Sequence, residues 1–151
     1  MSDHYTTFVP SDPRLVPSDA AIAASVALAE KLFPEADSVT PQTHEGVVLF
    51  DAGRNFESVF CGNCGKKQSI DWWHEAMVHD QAKAGFTLAP IKMLCCGASQ
   101  TLNELKYDWT QAFGRFGLEV MNANVGRLKQ DQIAALATVL QTSVTVVYQT
   151  I

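Results

Sequence analysis

The sequence predicts an α+β fold, with a mostly antiparallel or mixed sheet and about three helices chiefly on one face. Segments with helical periodicity and segments with the two-residue alternation of strands follow one another in the order α-β-β-α-β-β-α-β. This order predicts a mostly antiparallel or mixed sheet. Hydrophobic residues make up 47% of the 151 residues and charged residues 18%, which indicates a folded chain of one domain.

Residues 1–17 are predicted to form an extended N-terminal arm that lies over the surface. Three prolines punctuate this segment, at Pro10, Pro13 and Pro17. Each proline lacks an amide donor and restricts the residue before it, so the segment cannot be the interior of a helix. Residues 18–151 are then expected to form a single α+β domain, with the cysteine site at residues 61–97.

The first helix is predicted to begin after Ser18 and to end before Pro34. Ser18 stands where an N-cap belongs, and Asp19 favours the positive end of the helix dipole. Apolar residues recur at helical spacing between these limits, at Ile22, Val26, Ala29 and Phe33.

The middle of the chain is predicted to contain a hairpin, a helix and a short strand. Residues 46–50 and 56–60 are β-rich runs on either side of a loop-like segment, which suits a hairpin. Ser69 can cap a helix over residues 70–84, which Gly85 would end. Residues 91–94 resemble a short strand that leads into the second pair of cysteines.

The C-terminal part is predicted to be a strand, a helix and a closing strand. Phe116, Leu118 and Val120 alternate with polar or small residues, so one face of the first strand should be buried. A helix follows from about Asp131 to Leu140. Residues 144–148 are rich in β-branched residues and are a candidate edge strand. This compact unit makes the C-terminal half a candidate for a ferredoxin-like arrangement.

Charge and leader composition exclude several classes of protein. Sixteen acidic and eleven basic side chains give a formal charge of -5, and the basic residues are scattered, so nucleic acid is not an expected ligand. Residues 1–10 have neither a basic start nor an apolar run, and no segment approaches the roughly 20 apolar residues that span a bilayer. The chain is therefore expected to be cytoplasmic. Reductants there keep thiols free, which favours metal-binding or catalytic cysteines over disulfides.

The stretch Cys61-Gly-Asn-Cys-Gly65 has the form of one zinc-binding loop. In such a loop a tight turn points both sulfurs at one ion, and backbone amides donate to the sulfurs. Lys66 and Lys67 follow at once and place positive charge beside the thiolates. Cys61 and Cys64 are therefore predicted zinc ligands.

The second pair, Cys95 and Cys96, departs from the spacing of a matching loop, because Met93 stands where the first cysteine would be. Adjacent residues of a strand point to opposite faces, so both cysteines can bind one ion only if the chain turns there, as Gly97 permits. If the chain does not turn, a histidine should replace one cysteine. His74 is the nearest candidate, and His44, His79 and His4 are weaker ones.

Two other interpretations of the cysteines remain open at this point. Cys95 and Cys96 could be buried small hydrophobic residues, since free cysteine is among the most buried residue types. Cys61 and Cys64 could instead be a redox dithiol, but residues 65–69 separate them from the following helix, so its dipole would not lower a thiol pKa. Trp109 is a further candidate, as a partly exposed aromatic residue of a ligand groove, although aromatic residues more often belong to the core.

Together, the CxxCG and CCG motifs resemble a group of small uncharacterised bacterial proteins with a CxxCG...CCG cysteine motif. The helix with Trp73 and residues 102–109 and 113–120 contribute to the resemblance. The group has no established activity, so the resemblance implies only that the four cysteines act together.

The expected function is that of a non-enzymatic cytoplasmic bacterial accessory or protein-interaction protein. Its zinc ion would be structural and held by Cys61, Cys64, Cys95 and Cys96. The expected partner is another protein, with a homodimer as one form of pairing, and neither nucleic acid nor a membrane. The alternative is a thiol-active redox enzyme that uses Cys61 and Cys64.

Overall fold

The computed structural model describes residues 2–151, so Met1 of the predicted arm lies outside the described residues. Within these residues the elements, in chain order, are β1 (His4–Pro10), α1 (Asp19–Leu32), β2 (Ser38–Phe50), β3 (Val59–Phe60), β4 (Lys67–Gln68), α2 (Ile70–Asp80), β5 (Gln81–Ala82), β6 (Gly85–Phe86), β7 (Ile91–Lys92), β8 (Ser99–Gln100), a 3₁₀ turn (Leu102–Glu104), β9 (Lys106–Tyr107), β10 (Ala112–Met121), α3 (Gln130–Leu140) and β11 (Val144–Thr150). The predicted α+β fold is confirmed.

The main sheet contains four strands in the order β11-β1-β10-β2, and every neighbouring pair is antiparallel. Helix α1 connects β1 to β2, and α3 connects β10 to β11. This connectivity is the β-α-β-β-α-β order of ferredoxin-like folds. It draws on both ends of the chain rather than on the C-terminal half alone, and β11 forms one edge of the sheet.

The main core lies between one face of this sheet and helices α1 and α3. Phe116, Leu118 and Val120 of β10 are fully buried there, as their alternation predicted. The other buried members of this cluster lie in β1, in the two helices and in the residues next to the helices. They are Phe8, Ala29, Phe33, Leu128, Leu136 and Leu140. Two of the three helices therefore share one face of the sheet.

The predicted helix starts are confirmed where a capping residue signals them. The Ser18 hydroxyl accepts from Ala21 N at 3.2 Å, and the Ser69 hydroxyl accepts from Trp72 N at 3.0 Å. Each cap satisfies an amide that has no partner within its helix. Within residues 2–151, no helix combines the length and apolar character needed to cross a bilayer.

The predicted surface position of the N-terminal arm is wrong for residues 4–10. They are extended, but they form β1, an inner strand between β10 and β11. Phe8 and Val9 are fully buried. The prolines correctly exclude a helix, but the β-rich stretch Tyr5–Val9 is what decides the position, because its apolar side chains pack on both faces of the sheet.

The predicted hairpin over residues 46–60 is also wrong. Residues 46–50 end the long strand β2, which pairs with β10, whereas Val59 and Phe60 pair with β4 and β9 in a separate small sheet. After Phe50 the chain therefore leaves the main sheet. Residues 51–111 form an insertion between β2 and β10. Helix α2 lies in this insertion and ends at Asp80, before the predicted limit at residue 84.

Candidate metal centre

The first cysteine loop is a tight turn at the end of β3. Cys61 N donates to Lys66 O at 2.9 Å, and Gly65 N donates back to Cys61 O at 3.0 Å. Gly65 has a φ of +77°, a conformation that glycine adopts without strain. This turn folds residues 61–66 into a loop between the paired strands β3 and β4, as predicted for a zinc-binding loop.

The second loop has the same backbone architecture, with Met93 in the place of Cys61. Met93 N donates to Ala98 O at 2.9 Å, and Gly97 N donates to Met93 O at 2.7 Å. Gly97 has a φ of +75°, and strands β7 and β8 pair on either side of the loop. Cys96 thus corresponds to Cys64, and Cys95 to Asn63. The chain does turn at Cys95 and Cys96, which a shared ion requires.

The two loops bring all four sulfurs together. The Sγ atoms of Cys61 and Cys96 are 3.7 Å apart, and those of Cys64 and Cys95 are 3.4 Å apart. All four ligand atoms lie within 4.8 Å of one another. A tetrahedron with metal–sulfur bonds of about 2.3 Å has sulfur–sulfur edges of about 3.8 Å. The cluster is therefore close in size to a four-thiolate metal site.

The surroundings of the cluster supply donors to the sulfurs. Asn63 Nδ2 lies 3.4 Å from Cys96 Sγ, and Gln68 Nε2 lies 3.5 Å from Cys95 Sγ. Gln100 Oε1 accepts from Gly62 N at 3.0 Å and so ties the second hairpin to the first loop. Amide donors stabilise thiolates and orient them. No motif in the sequence indicates these three amide side chains, and their proximity to the cysteines along the chain is the one signal that points to them.

The thiol pKa values reflect the same contacts. The backbone N–H of Cys64 lowers the pKa of Cys61 to about 6, and the N–H of Asn63 acts in the same direction against the effect of burial. The Asn63 side-chain amide and the N–H of Ala98 lower the pKa of Cys96. Burial, followed by the neighbouring sulfurs, raises the pKa of Cys95 to about 12. Ionised sulfurs at this distance repel one another, and a cation among them would offset that repulsion.

The histidines do not join the cluster. In the described part of the chain, the four cysteines are the one group of three or more His, Cys, Asp or Glu side chains placed to share an ion. His74 lies instead beside Trp73, with ring centroids 5.4 Å apart. The second cysteine pair is thus complete without a histidine ligand.

The cluster also bears on the two other interpretations of the cysteines. Cys61 is buried, whereas Cys64 and Cys96 are exposed. Cys95 is half-buried and packs against the edge of the second core, so neither Cys95 nor Cys96 is a fully buried core residue. Each sulfur of the first pair is in contact with a sulfur of the second pair, Cys61 with Cys96 at 3.7 Å and Cys64 with Cys95 at 3.4 Å. The CxxC pair therefore does not stand apart as a dithiol, and α2 begins only after β4 and Ser69.

A second hydrophobic core contains the first residue of each loop, Cys61 and Met93. Trp73 of α2 packs against Phe56 and Tyr107, and its Nε1 lies 3.2 Å from the Tyr107 hydroxyl, which in turn donates to Leu102 O. Cys61 and Met93 are both buried in this core. The first positions of both loops therefore anchor the metal centre to α2.

Comparison with known proteins gives no relative from which a function could be taken. No family model, no curated protein and no solved structure matches the chain. The resemblance to the CxxCG...CCG group stays a prediction. The function must therefore be inferred from the site itself.

Proposed function

We propose that the protein binds one zinc ion through Cys61, Cys64, Cys95 and Cys96, and that this ion is structural. The convergence of four sulfurs from two equivalent loops supports the proposal most directly. Four thiolates in a tetrahedron favour zinc or iron among common metals, and zinc needs no redox chemistry. Since the protein would fill all four positions, no position is left for a catalytic water.

We further propose that the protein acts in the cytoplasm as a non-enzymatic accessory protein that binds another protein. Two apolar side chains of the insertion support a protein partner. Leu94, at the tip of the second loop, is 96% exposed, and Val78 of α2 is 72% exposed. Exposed apolar groups on a rigid, metal-bound loop are more useful for contact with a partner than for the stability of the monomer.

Metal analysis of the protein and of Cys64→Ser tests the zinc site. Protein purified without added metal should contain about one zinc per chain. The variant should contain none, and its Tm should be lower by about 10 °C. Ser99→Ala is the matched control, because Ser99 is exposed on β8 in the same insertion and its side chain makes no hydrogen bond to the cluster. A coloured protein with bound iron would contradict zinc.

Alkylation separates the proposal from a thiol enzyme. With zinc bound, iodoacetamide should modify the cysteines slowly, and removal of the metal should make the exposed Cys64 and Cys96 react. Metal-free protein that is fully folded and carries one rapidly alkylated thiol would contradict a structural metal.

A further inference from the structure

A cleft separate from the cysteine cluster lies where the insertion meets the main sheet. It has a volume of about 480 Å³, within the range of roughly 300 to 1,000 Å³ that small-molecule pockets span. Its walls come from the start of β1, the end of β11, the loop after β10, and Asn55 and Trp109 of the insertion. No cysteine is among its lining residues in the described chain, so it is distinct from the candidate metal centre.

Two aromatic side chains face this cleft with much of their surface exposed. Trp109 is 47% exposed and Tyr148 is 36% exposed. Within residues 2–151, the Trp109 indole N–H and the Tyr148 hydroxyl make no hydrogen bond. Large aromatic groups usually lie in the core, and a flat face left open beside a free donor is typical of a binding surface.

The amide side chains of the cleft have free acceptors. Asn55 donates through Nδ2 to Tyr148 O at 3.2 Å, and Asn124 donates through Nδ2 to Glu35 O at 3.0 Å. Each amide is thus held in one orientation, and neither Oδ1 has a partner among the described residues. The cleft therefore offers fixed acceptors next to the free donors of Trp109 and Tyr148, and a hydroxyl group can satisfy both kinds.

The cleft walls carry no fixed charge. No Asp, Glu, Lys or Arg is among the residues that line it within the described chain. Arg127 is not a lining residue, but it lies between the lining residues Gly126 and Leu128, and its charge acts on Tyr148. A lining without charged side chains favours a ligand that is held by hydrogen bonds and aromatic contact rather than by ion pairs. A neutral ligand fits this lining best.

We propose that this cleft binds a neutral saccharide. The apolar face of a sugar ring would lie on Trp109 or Tyr148, and the hydroxyl groups would bond with the free donors and with Asn55 and Asn124. The volume suits one or two sugar rings. This inference goes beyond the proposed metal site and does not depend on it.

The insertion holds Trp109 in position at the cleft. The Asp108 carboxylate accepts from Glu57 N at 3.1 Å and from Trp109 N at 3.0 Å, and Asp108 N donates to Ser58 O. These contacts fasten the Trp109 segment to the strand that enters Cys61. A rigid aromatic wall loses little conformational freedom on binding, which favours affinity.

Ligand-observed NMR with tryptophan fluorescence tests the proposal on the full chain. The probes are N-acetylglucosamine, maltose and cellobiose, with adenosine as a neutral planar ligand without a pyranose ring. At least one saccharide should bind with a Kd of about 1 mM or tighter. No saccharide binding up to about 10 mM, or binding of adenosine alone, would overturn the proposal.

Three variants locate the binding. Trp109→Ala should weaken saccharide binding by about tenfold or more, and Tyr148→Phe, which removes only the hydroxyl, should weaken it several-fold. Trp72→Ala is the control, because Trp72 lines a different cavity beside α2 and should leave the Kd unchanged. Circular dichroism checks that each variant folds. Equal loss of binding in folded Trp72→Ala and Trp109→Ala proteins, or unchanged binding in Trp109→Ala, would overturn the site.

Discussion

At the scale of single residues, Asp80 shows how one carboxylate can end a helix and shape the next loop. It is buried at the end of α2, and it accepts from the Thr87 hydroxyl at 2.7 Å, from Leu88 N at 2.7 Å and from Ala89 N at 2.9 Å. Burial alone would raise the pKa of Asp80. The hydrogen-bond donors lower it by a larger amount, so the pKa lies below its ordinary value. By binding the amides of the following loop, the carboxylate ends α2 at Asp80 instead of at the predicted residue 84.

Asp80→Asn should destabilise the protein by about 1 to 3 kcal/mol, because an amide cannot accept from all three donors. An acid with a lowered native pKa stabilises the fold above its unfolded pKa of about 3.8, and this contribution is lost as the pH falls through the native value. Urea unfolding at pH 7 and at decreasing pH measures both effects.

The matched control is Asp71→Asn, in the exposed first turn of the same helix, which should cost about 0.5 kcal/mol. The difference between wild type and Asp80→Asn should shrink as the pH falls below 4. A difference that grows on acidification would show that the carboxylate of Asp80 is not stabilised by its donors.

At the scale of elements, the two hairpins of the candidate metal centre share one backbone architecture and differ in where their cysteines stand. In the first, the cysteines stand at the first and fourth positions of the loop, Cys61 and Cys64. In the second, Met93 occupies the first position, and the cysteines stand at the third and fourth, Cys95 and Cys96. Met93 is buried, and its side chain packs in the second core. In the proposed zinc site, Cys95 would therefore supply the ligand that the first position of the second loop lacks.

Cys95→Ser alone should lower zinc affinity strongly, whereas Met93→Cys combined with Cys95→Ser should restore one zinc per chain. The double variant has a symmetric pair of loops with cysteines at matching positions. The shorter side chain at position 93 leaves a small gap, so the rescued protein should still be about 1 to 2 kcal/mol less stable. Competition with a zinc-binding dye measures affinity, and Met93→Ser with Cys95→Ser is the control that should not rescue.

The elements also differ in how far the sequence could predict them. Helices α1 and α3 and strand β10 carry their own periodicity and caps, so local pattern suffices. The partner of residues 46–50 lies beyond the insertion, in β10, and no local signal reports such a distant pairing. The cysteine motifs predicted that the four sulfurs lie close together. Only the observed loop geometry shows that Met93 occupies the position that Cys61 has in the first loop, and that Asn63 and Gln68 lie within hydrogen-bonding distance of sulfur.

At the scale of the whole molecule, the two larger of three hydrophobic clusters stabilise different parts of the chain. One lies between the main sheet and helices α1 and α3, and it contains no residue of the insertion. The other lies next to the two cysteine loops and joins Trp73 and Leu102 of the insertion to Val47 and Phe113 of the sheet. The short strands of the insertion form sheets of two or three strands, which are marginal without further support. The proposed zinc ion, between the two cysteine loops, would supply that support.

Removal of zinc should therefore open the insertion before the main sheet. After treatment with EDTA, the amides of Cys61 and Met93, which close the two loops, should exchange with deuterium much faster. The amides that pair β1 with β10 and β11 should stay protected, because the first core does not depend on the loops. Hydrogen exchange with mass spectrometry resolves the two regions, and EDTA already saturated with zinc is the control. Simultaneous loss of protection in both regions would show that the molecule unfolds as one unit, and unchanged exchange in the loops would show that the metal does not stabilise them.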